Sequence, residues 1–200
     1  MTGMLAACWV AGVVLAGKAP GETPVIDISG AGFQALPLAV PSVKVLKGGV
    51  PGSDQNPLAQ DSAADAATAL TRVLRDDIAL AGVFRVLDPA AYLPNAQKEG
   101  LVTGTFNMAD WITIGASALL KVGLSRDAAT GKSTVEGHLF DVARGRELLR
   151  MEYSGPAEVE RRMAHRIADD VFNHFTREPG VFRTRIAAVK QQKGKKDLFV

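Results

Sequence analysis

The stretch DDIALAGVFRVLDPAAYL, residues 76–93, contains the end of one helix, a strand and the start of another helix. Gly82 ends the first helical pattern, because glycine adopts the left-handed conformation at a helix C-terminus at little cost. Residues 83–87 then predict a buried strand whose arginine faces outward. Asp88 is a suitable N-cap, and Pro89 is tolerated in the first turn of a helix. Helix, strand and helix in this order predict an α/β fold.

Two long helices are predicted. The first begins near Asp61 or Ser62, either of which can cap it, and ends near Ala81. The second covers about Ala157 to Arg177. In each helix a stripe of residues recurs at spacings of three and four, which predicts one buried face. The stripe of the first helix comprises Leu70, Val73, Leu74, Asp77, Ile78 and Ala81. The stripe of the second comprises Val159, Met163, Ala164, Ile167, Ala168, Val171, Phe172 and Phe175.

The region before the first helix is extended and contains several prolines. Residues 23–30 predict a short strand or an extended arm. Residues 33–46 alternate in part and contain Pro37 and Pro41. Proline cannot donate a hydrogen bond to a strand ladder, so this segment is either an edge strand or a strand whose prolines lie at its ends.

Three strands in series, about residues 116–125, 134–142 and 147–154, predict an antiparallel meander. A short helix that starts at Asn107 or Asp110 precedes them. Together these elements predict an α/β domain with a mixed sheet of about five strands and two long helices. A further strand is predicted from Phe182 to Val189, and another begins at Leu198 after a lysine-rich turn.

The composition fits one globular domain. The chain has 200 residues, of which 47% are hydrophobic and 22% charged, and its formal net charge is +2. Four lysines lie close to the C-terminus, so the rest of the chain is nearly neutral. A neutral body gives little support for nucleic-acid binding through phosphate contacts.

The N-terminus contains an apolar run, MLAACWVAGVVLAG, from Met4 to Gly17. A run of this length is short for a membrane span and predicts a signal peptide over residues 1–19. The alternatives are a lipoprotein signal that ends at Cys8 and a buried first strand or helix. Because Cys8 is the single cysteine, the chain has neither an intrachain disulfide nor a cysteine zinc site.

One pair of residues could support acid–base chemistry. His165 and Asp169 lie four positions apart on the second long helix and could act as a base and its orienting carboxylate. No serine or cysteine nucleophile occurs nearby in a recognisable turn. We therefore favour the interpretation that they form a surface or half-buried pair opposite the apolar stripe.

The remaining polar motifs predict no cofactor or metal site. His138 and Asp141 lie three apart on a strand and so point to opposite faces. The glycines at residues 30–32 lack the third glycine and the helix start of a dinucleotide loop. Asp76 and the next residue diverge around their helix and cannot clamp one group. Trp111 is predicted to be a core or interface anchor.

Five segments in order carry a resemblance to a known family. They are PVIDISGAGFQALPLAVPSV (24–43), LRDDIALAGVFRVLDPAAYL (74–93), ADWITIGASALLKVG (109–123), VEGHLFDVARGREL (135–148) and AHRIADDVFNHFTREPGVFRTRIAAV (164–189). These segments resemble the N-terminal domain of TolB, a periplasmic component of the Tol-Pal cell-envelope system. The similarity covers about residues 25–189. The resemblance also implies a fold like the anticodon-binding domain of some tRNA synthetases.

The resemblance implies a domain organisation. Residues 20–32 correspond to an extended N-terminal arm and residues 33–180 to the TolB N-terminal α/β domain. Within residues 181–200, the phrase FRTRIAAV leads in this family from the α/β domain into a six-bladed β-propeller. We therefore expect this last segment to be a linker and the start of a propeller that is truncated here.

The resemblance also implies a function. It implies a non-catalytic periplasmic interaction module that serves outer-membrane integrity and envelope constriction during cell division, peripheral to the membrane rather than spanning it. In the family, a mobile N-terminal strand packs on its own protein or is offered to the partner TolA. The matching positions are Val25, Ile26, Asp27 and Ile28. Docking of the lipoprotein Pal lies mostly on the propeller.

Two other functions remain open from the residues. A freestanding ligand-binding or hydrolase domain that uses His165 and Asp169 would need a deep pocket near Trp111 or His165. A nucleic-acid-binding protein would use the lysine-rich tail, and its affinity would fall steeply with salt.

Overall fold

The computed structural model describes residues 34–46, 57–95, 99–127, 129–184, 188–192 and 195–199. The strands are β1 Leu36–Ala39, β2 Lys44–Val45, β3 Phe84–Val86, β4 Ala118–Arg126, β5 Lys132–Asp141, β6 Arg146–Pro156, β7 Ala188–Gln192 and β8 Lys195–Phe199. The helices are α1 Pro57–Leu80, α2 Met108–Thr113 and α3 Glu160–Thr176. Short 3-10 turns cover Pro89–Ala91 and Ala157–Val159.

The first six strands form one mixed sheet in the order β3-β1-β4-β5-β6, and β2 also pairs with β4. The pairings β1–β3, β1–β4 and β2–β4 are parallel, whereas β4–β5 and β5–β6 are antiparallel. The structure confirms the α/β fold with a mixed sheet and the predicted meander. The sheet has six strands rather than about five because the segment before α1 contributes two of them, β1 and β2.

The interpretation of residues 33–46 as an edge strand is wrong for β1, which lies between β3 and β4. Pro37 is tolerated there because β1–β4 pairing starts at the next residue, Leu38, which faces Ala118. The carbonyl oxygen of Pro37 accepts a hydrogen bond from the backbone N–H of Ser117 at 2.9 Å. Pro41 lies in the connection between β1 and β2, where no ladder donor is required.

Helices α1 and α3 contact each other and cover one face of the sheet. The predicted stripes are the buried faces of these helices, and they pack against alternate residues of the strands. The fully buried members of this core include Leu38, Leu74, Ile78, Leu120, Leu139, Ala164, Ile167 and Val171. The opposite face of the sheet is covered over β1 and β4 by the segment between β3 and β4. Its core includes Trp111, Leu119 and Phe140.

Trp111 was predicted to be a core or interface anchor, and the structure shows that it is a core residue. Its side chain is fully buried, and its ring makes an edge-to-face contact with Tyr92 at a centroid distance of 5.3 Å. The hydroxyl group of Tyr92 donates to the carbonyl oxygen of Leu87 at 3.0 Å. The same hydroxyl accepts the backbone N–H of Val40 at 3.0 Å. These contacts fix α2 and its flanking loops against the sheet.

Several helix ends agree with their predicted signals. Gly82 has a φ of +71°, and the Asp88 side chain accepts the N–H of Ala90. Asn107 caps α2. Helix α1 starts at Pro57, earlier than the predicted start near Asp61 or Ser62, because proline is pre-organised for the first helical position.

The C-terminal end of the described structure differs from the prediction. Residues 181–184 form a turn, in which the Thr184 N–H bonds the carbonyl oxygen of Val181, and β7 starts only at Ala188. The predicted strand from Phe182 therefore starts later. Strands β7 and β8 form an antiparallel hairpin across the lysine-rich turn. Among the described residues, no helix combines the length and hydropathy of a membrane span.

Candidate functional site

The predicted partner-binding residues Val25, Ile26, Asp27 and Ile28 lie outside the described residues, which begin at Gln34. Strand β1 follows almost directly, so the chain enters the domain in the middle of the sheet.

The predicted pair of His165 and Asp169 does not form. The Nδ1 atom of His165 on α3 lies 2.6 Å from Oδ2 of Asp77 on α1. The Nε atom of Arg161 donates to Nε2 of His165 at 3.3 Å. Because Nε2 accepts this bond, the ring proton lies on Nδ1 and is donated to Asp77. Both ring nitrogens of His165 therefore have structural partners, and neither contacts a nucleophile.

Asp77 occupies a position on the buried stripe of α1. Burial of the carboxyl group raises its pKa. The hydrogen bond from His165 lowers the pKa by less, so the pKa of Asp77 stays above the ordinary value. The interaction joins residues 88 positions apart and links the two long helices. The spacing of residues within each helix did not predict this contact. The available signal was an acidic residue within an apolar stripe, which requires a buried polar partner.

Asp169 is 3% exposed and anchors the chain after α3, so its predicted place opposite the apolar stripe is wrong. Its Oδ1 accepts the backbone N–H of Phe182 at 2.9 Å, and its Oδ2 accepts Nε of Arg183 at 2.5 Å. Gly180 passes so close that a Cβ there would lie 2.6 Å from the Asp169 Cα. Arg177 ends α3 in the left-handed conformation, with a φ of 64°. These contacts set the direction in which the chain leaves the domain.

A second buried acid lies at the start of α3. Arg126 donates from Nε and Nη2 to the two carboxylate oxygens of Glu160 at 2.7 and 2.8 Å. The hydroxyl group of Ser133 donates to the same carboxylate at 2.5 Å. Burial opposes ionisation of Glu160, but these hydrogen bonds outweigh it and hold its pKa below the ordinary value. Arg126 also contacts Ser62, so the cluster joins β4, β5, α1 and α3.

Two further titratable side chains are buried on the other face of the sheet. His138 is 1% exposed, and its Nδ1 lies 2.6 Å from Oε1 of Glu147. Asp141 is bound instead by Arg144, so His138 and Asp141 have separate partners. Lys121 is 3% exposed, and its Nζ lies 4.2 Å from the centre of the Phe106 ring. Burial lowers the pKa of Lys121 to about 8.

Two open grooves are present on the described surface. One of about 500 Å³ lies between α1 and the β1–β2 segment. The other, of about 480 Å³, lies between β6 and α3. Neither is lined by Trp111 or His165, the residues beside which a hydrolase or ligand pocket was expected.

Most of the buried acids described above join separate elements of the fold. Three of the four buried acids among the described residues tie α1 to α3, α3 to the sheet, and α3 to residues 182 and 183. They are Asp77, Glu160 and Asp169. These contacts join the two long helices, the sheet and residues 182 and 183.

Comparison with known proteins identifies relatives of this architecture. Residues 24–148 match the family model described as the TolB amino-terminal domain. The chain is 36% identical over 180 residues to the Tol-Pal system protein TolB of Myxococcus xanthus, covering 90% of this chain and 38% of the relative. It is 34% identical over 175 residues to the same protein of Anaeromyxobacter dehalogenans, covering 86% of this chain and 36% of the relative.

The structural comparison agrees with the sequence comparison. The crystal structure of TolB from Acinetobacter baumannii superposes with a TM-score of 0.53 at 20% identity, over 78% of this chain and 32% of that one. This similarity shows a common fold. The chain spans about 38% of the length of the first curated relative.

Proposed function

Because the chain belongs to the TolB amino-terminal domain family, we propose that it is a non-catalytic protein–protein interaction module of the Tol-Pal system. The observation that carries this proposal is the family match over residues 24–148, which includes most of the arm and most of the α/β body. In this proposal the module is periplasmic and peripheral to the membrane, and it contributes to outer-membrane integrity and to envelope constriction during division.

The arm at residues 20–32 is the proposed partner-binding element, and its partner is TolA. Val25, Ile26, Asp27 and Ile28 form a short β-branched segment bounded by proline and glycine. Such a segment is suited to strand addition, in which the main chain supplies hydrogen bonds and alternate side chains enter pockets. In this proposal the α/β body of residues 33–180 follows the arm in the chain and carries it.

The second proposed role is to pass the chain to a propeller that binds Pal. In this proposal residues 181–200 are the linker and the start of that propeller. The contacts of Asp169 with Phe182 and Arg183 support it, because they fix the exit path relative to α3. The β7–β8 hairpin follows directly. In this proposal the arm and the linker at residues 181–200 are thus both attached to the α/β body of residues 33–180.

Titration calorimetry with the periplasmic part of TolA tests the arm's role. The full chain is compared with a form that lacks residues 20–30 and with the double variant Ile26→Asp, Ile28→Asp. A matched control, Val102→Asp, adds a carboxylate at a side chain that is 45% exposed in a loop of the body.

We expect deletion and double substitution each to weaken binding at least about tenfold, because strand addition needs the alternate apolar side chains. The Val102 control should bind like the unmodified chain. Equal affinity of all four forms would contradict the role of the arm. Absence of binding by the unmodified chain would contradict the choice of TolA.

A further inference from the structure

Two strands of the meander carry acidic and imidazole side chains on the face of the sheet away from α3. Glu136 and His138 lie two positions apart on β5, so their side chains point to the same face. Gly137 between them faces Ile167 of α3 on the opposite side. Glu152 on β6 is the direct cross-strand neighbour of Glu136. The three polar side chains therefore lie on one small area of the sheet surface.

His138 has one ring nitrogen bound and the other without a partner. The side chain is 1% exposed, and its Nδ1 lies 2.6 Å from Oε1 of Glu147. A carboxylate only accepts hydrogen bonds, so the proton of the neutral imidazole lies on Nδ1 and Nε2 keeps its lone pair. Nε2 is buried and has no hydrogen-bond partner among the described residues. A carboxylate bound to one ring nitrogen is the arrangement that orients histidine ligands of metal ions.

The carboxylate of Glu136 lies just beyond hydrogen-bond distance of this free nitrogen. Its Oε2 is 3.9 Å from Nε2 of His138. Bonds from Zn²⁺ to imidazole nitrogen and to carboxylate oxygen measure about 2.0 to 2.2 Å, so one ion between the two atoms can reach both. Both atoms donate electron pairs, and a cation placed there satisfies both.

Glu152 supplies a further carboxylate from the neighbouring strand. Like charges directly opposite each other in a sheet are unfavourable, so the Glu136–Glu152 pair gains from a cation between its members. Glu152 is exposed, and its side chain can turn without disturbing the core. Among the described residues, no three acidic, histidine or cysteine side chains already surround one point. Rotation of Glu152 is therefore the step that completes a site of three ligands.

The area is closed towards β4 and open towards β6. Gly123 faces Glu136 across the β4–β5 pair, and a Cβ there would lie 2.6 Å from a side-chain atom of Leu101 and 2.7 Å from one of Leu46. These two leucines therefore cover the β4 side. On the β6 side Glu152 is exposed, which gives an ion a path from solvent.

Two cationic residues flank His138 without filling this position. Lys121 faces His138 from β4, but its Nζ lies over the Phe106 ring, 4.2 Å from the ring centre. Arg150 faces His138 from β6 and is exposed, so its guanidinium can remain in solvent. The three glutamates of this area outnumber these two cations, and the local charge therefore favours a further cation.

We propose that His138, Glu136 and Glu152 bind one Zn²⁺ ion and that Glu147 is a positioning residue that orients the imidazole. Imidazole nitrogen and carboxylate oxygen are ligands that suit Zn²⁺. Three protein ligands leave the fourth position of a tetrahedral site to water. The ion joins β5 to β6 and neutralises the opposed glutamates.

Calorimetric titration of ZnCl₂ into the metal-free full chain, prepared without a histidine tag, tests the proposal. Glu136→Gln and Glu152→Gln each remove the charge of one ligand at a position that is not in the core. Glu147→Gln alters the group that orients the ring. Glu158→Gln, at an exposed glutamate in the turn after β6, is the matched control. Circular dichroism establishes that all four variants are folded.

We expect one Zn²⁺ per chain and an unchanged affinity in the Glu158 control. Loss of a ligand at Glu136 or Glu152 should weaken binding at least about tenfold, and Glu147→Gln should weaken it by about 10- to 100-fold. The ¹⁵N resonance of His138 Nε2 should shift when Zn²⁺ binds, because this atom coordinates the ion. The chain has three histidines, so His165→Gln and His174→Gln assign the ring signals by elimination.

Three results would overturn the proposal. The first is no binding and no shift of the His138 ring at about 1 mM Zn²⁺, the weak end of the affinity scale. The second is an affinity that neither Glu136→Gln nor Glu152→Gln lowers, which would place the ion elsewhere. The third is Mg²⁺ binding as tight as that of Zn²⁺ with no shift at Nε2, which would show that surface carboxylates alone bind the ion.

Discussion

The Nδ1 atom of His165 lies 2.6 Å from Oδ2 of Asp77, and this contact joins α3 to α1. Removal of the carboxylate by Asp77→Ala leaves the partly buried Nδ1–H of His165 without its acceptor. We expect a loss of about 1 to 3 kcal/mol in the free energy of unfolding. Asp77→Asn retains an acceptor and should cost less. Asp76→Ala, at the adjacent exposed position, should change stability by less than about 0.5 kcal/mol. Urea unfolding at neutral pH measures all three.

The carboxyl group of Asp77 should also make the free energy of unfolding depend on pH, in a direction that the shift of its pKa determines. Burial raises the pKa of Asp77, so the folded chain binds this proton more tightly than the unfolded chain does. The stability that this proton provides is present below the unfolded pKa and is lost as the pH rises through the folded pKa. Asp77→Asn does not titrate and should therefore gain stability relative to the unmodified chain as the pH rises. A relative gain in the opposite direction would contradict this account.

The contribution of Glu160 to the pH dependence of stability has the opposite sign to that of Asp77. Despite burial, its hydrogen bonds from Arg126 and Ser133 hold its pKa below the ordinary value. The stability from this acid is present above the unfolded pKa and is lost as the pH falls through the folded pKa. Glu160→Gln should cost about 1 to 3 kcal/mol at neutral pH. It should also reduce the acid sensitivity of unfolding. Unchanged acid sensitivity in urea titrations would contradict the prediction.

Lys121 should destabilise the folded chain at neutral pH. Its buried ammonium has a pKa of about 8, so the unfolded chain retains this proton to a higher pH than the folded chain. The free energy of unfolding should rise as the pH increases from about 8 toward the ordinary lysine pKa of 10.5. Lys121→Met should abolish this rise and increase the free energy of unfolding at neutral pH by about 1 to 3 kcal/mol. Thermal unfolding across this pH range provides the measurement.

The exit segment should depend on Asp169. Asp169→Ala removes the acceptor for the Phe182 N–H and the partner of Arg183. We expect faster amide exchange at Phe182 and a loss of about 1 to 3 kcal/mol. Gly180→Ala should have a similar effect, because its Cβ would lie too close to the backbone of Asp169. Exchange that is unchanged in both variants would show that this carboxylate does not hold the exit.

Local signals predicted much of the fold. Gly82, Asp88 and Asn107 fulfil their expected roles at helix ends because these depend on neighbouring residues in the chain. The spacing of apolar residues also predicts the buried stripes of α1 and α3 and the three strands of the meander. The interior position of β1 could not be predicted in this way, because Pro37 suggests an edge strand. Proline is tolerated at this position only because β4 begins to pair with β1 at the next residue.

The polar contacts were less predictable than the fold. The spacing of four positions on one helix suggests that His165 pairs with Asp169. In the structure the partner of His165 is instead Asp77, which lies on the other long helix. Asp169 in turn contacts a turn that follows α3. Both partners are set by tertiary packing, which spacing within one helix does not encode. The family resemblance is confirmed by the match over residues 24–148, which contains four of the five segments that carry it.

We propose that the arm itself recognises the partner. A synthetic peptide of residues 20–32, titrated into the periplasmic part of TolA, tests it most directly. If the arm supplies the contacts, the peptide should bind with an affinity within about tenfold of the full chain, the difference reflecting the entropy of ordering a free peptide. A peptide in which the residues corresponding to Ile26 and Ile28 are aspartate should not bind. Tight binding by the full chain together with no binding by the unmodified peptide would contradict the claim.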